Sequence, residues 1–224
     1  MATPLDLEEQ EQLDALKHFW KTYGNLISGL LIVVMGGFAA WNGYGYWQRS
    51  QAASASALFD ELERAVAVGE VPRVERALAD MKDKFGGTVY AQQAALLAAK
   101  TFQQQDKPDQ ALAALSWVAD HASDESYAQI ARLRASSYLL QSRAYEAALT
   151  RLAKPFSASF APLAADLRGD VLSAQAKPQE AIAAYREAWQ KMEVDQDYRR
   201  LIEAKLNALG VDPKAPEATA GGSK

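Results

Sequence analysis

The sequence predicts an all-α protein, with a single membrane-spanning helix near the N-terminus followed by a solenoid of helix hairpins. Three observations predict it. Residues 26–41 read LISGLLIVVMGGFAAW, inside an uncharged run that extends from Tyr23 to Gln48. From Gln51 to Gly210 the pattern is helical nearly throughout, and its breakers are few and regularly placed at Gly69, Pro72, Gly86-Gly87, Pro108, Pro155, Pro162 and Pro178. The stretch KPDQALAAL (Lys107–Leu115) returns seventy residues later as KPQEAIAAY (Lys177–Tyr185).

The totals narrow the function classes. With 224 residues, 49% of them apolar, the chain can build one ordinary domain plus extra segments. Its abundant alanine favours helices, because Ala loses no side-chain entropy there. A net charge of −4 argues against nucleic acid as a main partner. The absence of cysteine excludes thiol catalysis, disulfides and Cys-type zinc sites, and it does not locate the protein on either side of a bacterial membrane.

Residues 1–24 read as a cytoplasmic tail. Thr3-Pro4 suits a helix cap and first turn, and Leu13, Leu16, Trp20 and Tyr23 fall on one side of the helix that follows. Residues 25–47 read as the membrane helix. At about 1.5 Å per residue, Leu26 to Trp47 covers roughly 33 Å, enough for a hydrocarbon core of ~30 Å. Phe19, Trp20 and Tyr23 precede the span, and Trp41, Tyr44, Tyr46 and Trp47 end it, as expected of interfacial aromatic belts. A buried core helix rarely stays uncharged for so long. A cleaved signal peptide is the other alternative, since AASASA (Ala52–Ala57) has cleavage-like spacing. Against it stand the acidic leader (Asp6, Glu8, Glu9, Glu11, Asp14), the length of the apolar run and the intervening Arg49. An uncleaved signal anchor is the expectation. Lys17 and Lys21 before the span, against Arg49 and then Arg64 after it, place the N-terminus in the cytoplasm by the positive-inside rule. Gly29, Val33, Gly36, Ala40 and Gly43 share one face. Either they pack closely on another membrane helix, or they reflect the ordinary abundance of Gly and Ala in such helices.

Residues 48–210 form the repeat domain. Three columns of residues recur at intervals of 36 and then 34: Ala99, Ala135 and Gly169; Phe102, Tyr138 and Leu172; Ala111, Ala147 and Ala181. A small residue of one helix meets a small residue of the next, and a large one fills the space beside them. Each Lys-Pro marks the turn inside a pair, with Pro108 and Pro178 in the first helical turn, where a missing N–H costs nothing. The middle unit, SRAYEAAL (Ser142–Leu149), lacks the proline. Repeats are expected near 88–123, 124–158 and 159–193. A degenerate helix pair precedes them over 51–87, and a capping helix follows at 195–209. No breaker separates Trp47 from Val68, so the membrane helix is expected to run on into the domain. The tail, 211–224, reads as disordered.

The small–aromatic–Ala–aromatic–Ala series resembles the tetratricopeptide repeat, a helix-turn-helix of about 34 residues. The match is good at Gly169, Leu172, Ala181, Tyr185 and Ala188. It is moderate at Ala99, Phe102, Ala111, Leu115 and Val118, and partial in the middle unit, where Arg151 and Lys154 hold the last two places. A helical bundle with accidental spacing is the alternative. In such a stack the first helices line a concave surface that receives extended peptides or partner helices. By register Gln93, Lys100, Gln129, Arg132, Ser136, Asp166, Asp170 and Ser173 face that groove; an ordinary solvated face is the other reading.

No catalytic constellation is present. His121 ends WVADH, where a cation suits a helix C-terminus, and His18 lies beside the span. There is no HExxH, phosphate-cradling loop or nucleophile elbow, and no cofactor or metal is expected. As a whole, the acidic start DLEEQEQLDALKHFWKTYGN, the single anchor and the small repeat domain resemble the bacterial YfgM family. That resemblance implies a non-enzymatic inner-membrane protein with a periplasmic repeat domain. It further implies an ancillary subunit of the SecYEG translocon that associates with the periplasmic chaperone PpiD and meets emerging, unfolded exported polypeptides. An adaptor for another envelope assembly process, such as cytochrome maturation, is the alternative.

Overall fold

A computed structural model describes residues 7–194 and 197–214. The Thr3-Pro4 cap, residues 195 and 196 at the start of the expected capping helix, and the tail from residue 215 lie outside the described residues. Among those described the chain is all-helical: α1 (Leu7–Ala67), α2 (Val71–Phe85), α3 (Val89–Gln104), α4 (Pro108–His121), α5 (Glu125–Gln141), α6 (Tyr145–Leu152), α7 (Ala161–Ala174), α8 (Pro178–Lys191) and α9 (Tyr198–Ala208). The chain divides into two compact units between Ala53 and Ser54.

The first unit is the body of α1. The helix is long and apolar enough to cross a membrane. Leu26, Leu30, Ile32, Val33, Met35, Phe38 and Trp41 are all exposed, so this run is not a protein core and its apolar surface calls for a non-aqueous surrounding. The rings of Phe19 and Tyr23 lie 5.2 Å apart before the run, and those of Tyr44 and Trp47 lie 6.0 Å apart at its end.

The second unit is a stack of helices whose turns repeat one hydrogen-bond pattern. The N–H of Glu70 donates to the carbonyl of Ala65, Lys107 to Phe102, Ala144 to Leu139, Lys177 to Leu172 and Val211 to Leu206, at 2.8–3.0 Å. Before each donor stands a residue in the left-handed region: Gly69, Asp106, Arg143, Ala176 and Gly210, with φ between 53° and 79°. This is the Schellman helix end, which satisfies otherwise orphaned carbonyls and reverses the chain. The acceptor residues Ala65, Phe102, Leu139, Leu172 and Leu206 are all buried, so each turn is tied to the core. Pro108 and Pro178 open α4 and α8 at the first helical position, as their missing N–H allows. At α3 and α5, which lack such a proline, side chains cap instead: Thr88 Oγ1 accepts from the Ala91 N–H and Asp124 Oδ1 from the Ser126 N–H.

These turns recur at intervals of 37, 37, 33 and 34 residues, which corrects the register of the middle unit. The residues equivalent to Ala99, Phe102 and Ala111 are Ser136, Leu139 and Ala148, all buried; of those expected, Ala135 is buried as well, but Ala147 is exposed and Tyr138 is half-buried. The cause is one additional residue within the first helix: α5 has 17 residues and α3 has 16. The corrected register also improves the match, because buried Leu152, not Arg151, now takes the place of Leu115. The pair formed by the end of α1 with α2 obeys the same rule, with Leu62, Ala65 and Val74 buried at the equivalent places. Helix α9 ends like the first helix of a pair, and its Ile202 and Leu206 join Leu172, Tyr185 and Ala188 in one cluster.

A left-handed conformation costs a residue with a Cβ about 1–2 kcal/mol. Ala176→Gly and Arg143→Gly are therefore expected to raise unfolding stability by about 0.5–1 kcal/mol each, net of the added freedom of glycine in the unfolded chain. Gly69→Ala is expected to lower it. Denaturant melts of the full-length chain in detergent measure all three.

Candidate docking surface

The first helices of successive pairs, α3, α5 and α7, carry the residues that the tetratricopeptide register assigns to the groove. Only some of these eight side chains reach open surface. Lys100 and Ser173 are exposed, and Asp170 is half-buried. Gln93 is half-buried, its Nε2 donating to the Tyr127 hydroxyl at 2.8 Å. Gln129, Arg132, Ser136 and Asp166 are buried and hydrogen-bonded within the domain, although Arg132 Nε itself has no partner. The Gln129 carbonyl accepts from the backbone N–H and the hydroxyl of Ser157. The Arg132 guanidinium donates to Glu125 and to the Pro155 carbonyl, each at 3.0 Å, and lies 4.4 Å from the Phe156 ring centroid. Ser136 donates to the Arg132 carbonyl. The physical reason is the short α6: the chain leaves it at Ala153, and the connection through Pro155–Ser157 packs on α5, where a longer second helix would have left the face of α5 clear.

Asp166 belongs to an ion cluster that joins α7 to α9. Lys205 Nζ donates to both carboxylate oxygens of Asp166, at 2.9 and 2.8 Å, and to Asp170 at 2.9 Å. The Tyr198 hydroxyl donates to Asp166 and the Tyr185 hydroxyl to Asp170, both at 2.8 Å. Burial pushes the Tyr185 hydroxyl well above its ordinary range, and the hydrogen bond to Asp170 pushes it further; burial and Asp166 do the same to Tyr198. Beside the cluster, Gly169 lets α7 approach α8. A Cβ there would sit 2.4 Å from the Tyr185 ring, so the smallest residue is required at this contact.

Between α3 and α5 lies an open cleft of about 340 Å³. Leu96, Ala99, Lys100 and Gln103 of α3 line one side, Arg134, Ser137 and Tyr138 of α5 the other, and Leu115 of α4 the floor. Of the eight register-assigned residues only Lys100 lines it. The sequence register missed Ser137, which stands in the place of Lys100, because the middle unit is displaced by one residue; Arg134 and Tyr138 fall at no assigned groove position. On α1, a Cβ added at Gly29, Gly36 or Gly43 would meet nothing within 4 Å, and the same is true at Gly37 and Gly45 on other sides of the helix. Among the described residues no group of three or more His, Asp or Glu side chains is placed to hold a metal ion.

Repeated Schellman turns, buried small–large pairs and a membrane-length helix define a tetratricopeptide-type solenoid behind a single anchor. The profile of the Tetratricopeptide repeat-like domain family matches residues 17–211. The chain belongs to the family of ancillary SecYEG translocon subunits. It is 35% identical to the protein of that name from Neisseria gonorrhoeae over 91% of this chain and 98% of the relative. Proteins of the same name from Haemophilus influenzae and Escherichia coli K12 are 30% and 27% identical, each over 91% of this chain and 98% and 97% of their own. No solved structure gives a significant match.

Lys205→Ala would leave Asp166, 3% exposed, without its cation. The expected loss is about 2–3 kcal/mol, below the ~3–5 of a fully buried pair because the lysine keeps part of its surface in water; denaturant melts measure it. The two tyrosines make a separate prediction. Their folded-state pKa values are raised, so their contribution is complete below the unfolded value of 10.0 and is lost as pH rises above it. Melting temperatures are expected to fall from pH 10 upward, less steeply in Tyr198→Phe than in the parent protein.

Proposed function

We propose that this protein is a non-enzymatic, membrane-anchored adaptor ancillary to the SecYEG export channel. The N-terminus lies in the cytoplasm and the repeat domain in the periplasm. One observation carries the reading: an anchor and a tetratricopeptide-like domain in the same chain, aligned with ancillary SecYEG translocon subunits over nearly the whole length of both. The positive charges flanking the span support the orientation.

Two surfaces divide the work. The face of α1 that carries Gly29, Val33, Gly36, Ala40 and Gly43 packs on translocon helices, where small side chains permit close approach and dispersion contacts replace the missing hydrophobic drive. The solenoid binds a periplasmic chaperone such as PpiD, or emerging unfolded polypeptides, and of the register-assigned residues Lys100 and Ser173 are exposed to meet them. Buried Gln129, Arg132, Ser136 and Asp166 serve that surface from behind by holding α5, α7 and α9 in place.

A photo-crosslinker at Gly36 or Ala40 is expected to capture translocon subunits at native expression, and one at Leu31 or Phe38, on the opposite side, to capture them less. Replacing the span by polyleucine is expected to reduce recovery of the channel several-fold in a mild-detergent pull-down. Equal recovery with polyleucine, or no crosslink from the small-residue face, would overturn the role given to α1.

A further inference from the structure

The pocket between stacked first helices occurs at equivalent places along the solenoid with different fillings. Counted from the left-handed turn residues, Leu96, Lys100 and Leu115 stand where Asp166, Asp170 and Tyr185 stand seventy residues later. Tyr138 stands where Lys205 stands 67 residues later. At the α7–α9 position the domain fills the pocket itself, with one ammonium between two carboxylates and the Tyr185 hydroxyl closing the set. At the α5–α7 position leucines fill it, Leu152 and Leu167 standing in the places of Leu115 and Arg134. At the α3–α5 position the charges are reversed and the filler is missing. Asp170 is replaced by Lys100, the hydroxyl of Tyr185 is lost in Leu115, and the cation of Lys205 gives way to a neutral Tyr138. What remains is the cleft of about 340 Å³, with two cations and no carboxylate in its lining. Among the described residues neither Lys100 nor Arg134 makes an ion pair.

We propose that this cleft docks an extended segment of a partner polypeptide that carries an Asp or Glu side chain next to a large apolar residue. The carboxylate sits between Lys100 and Arg134 and supplies from outside the counter-charge that Lys205 supplies, with opposite sign, to the later pocket. The apolar neighbour covers Leu96, Leu115 and the ring of Tyr138. The proposal deepens the adaptor reading and rests on it, since it names the chemistry of what the solenoid binds.

The test uses the full-length chain in detergent and fluorescent dodecapeptides, acetylated and amidated at their ends, built from alternating Leu and Glu, Leu and Gln, or Leu and Lys. The Glu peptide is expected to bind at least about tenfold more tightly than the Gln peptide, as loss of a charge-assisted contact implies, with an affinity that falls as salt rises. Lys100→Glu and Arg134→Glu are each expected to weaken it by about tenfold and to turn preference towards the Lys peptide, while the control Lys107→Glu leaves both unchanged. Equal binding of Glu and Gln peptides, no binding of any peptide, or indifference to both substitutions would overturn the proposal. So would a Gln peptide with a free C-terminus that matches the capped Glu peptide, because the site would then read chain ends. Recovery of the channel in the pull-down is measured on the same variants. Peptide failure with recovery intact removes this inference alone, whereas failed recovery by the parent chain removes the adaptor reading beneath it.

Discussion

The domain is organised by one backbone event that occurs five times among the described residues. At the end of each first helix a residue turns left-handed, and the next N–H reaches back to a carbonyl five residues earlier. That bond fixes the exit direction of the chain before any side chain is considered. The residue that donates the carbonyl is always buried, so the turn and the core are set together. The second helix then meets the first at a small residue, as Ala111, Ala148 and Ala181 show by their near-complete burial. Close approach of this kind loses little apolar area per residue but many residues take part, which suits an alanine-rich chain.

Every pair shares this turn, and the pockets of the stack differ in the side chains that line them. Leucines close one pocket, a lysine and two aspartates close another, and the first remains open. The closed ionic pocket has a structural duty: it fastens α9, which has no described second helix behind it, to the rest of the solenoid. A buried carboxylate such as Asp166 is tolerated only because an ammonium and a hydroxyl both reach it. The open pocket has no such internal complement, and a solenoid is suited to presenting an unfilled position of this kind along a continuous surface.

The anchor follows a different physics. Its side chains are apolar on all sides, so the faces are distinguished by size instead of polarity. Gly29, Gly36 and Gly43 leave backbone accessible along one face, while Leu30, Leu31 and Phe38 offer bulk elsewhere. In lipid such a difference governs which side of a helix a neighbour can approach.

The amino-acid sequence by itself determined the all-helical class, the anchor and the existence of the repeat, because each is written in long runs: an uncharged stretch, a 3.6-residue periodicity, and Lys-Pro turns at Pro108 and Pro178. It also made Lys100 visible as a groove residue. It did not reveal the register of the middle pair. There the turn lies at Arg143 and Ala144 without a proline or glycine, and one additional residue inside α5 changes no local pattern. Only the tertiary structure decided that Ser136, Leu139 and Ala148 face the core, since burial depends on which helix lies opposite. It likewise decided that Gln129, Arg132 and Asp166 turn inward. Their partners, at Ser157, Pro155 and Lys205, are distant along the chain, and hydrogen bonds across such separations have no signature in sequence.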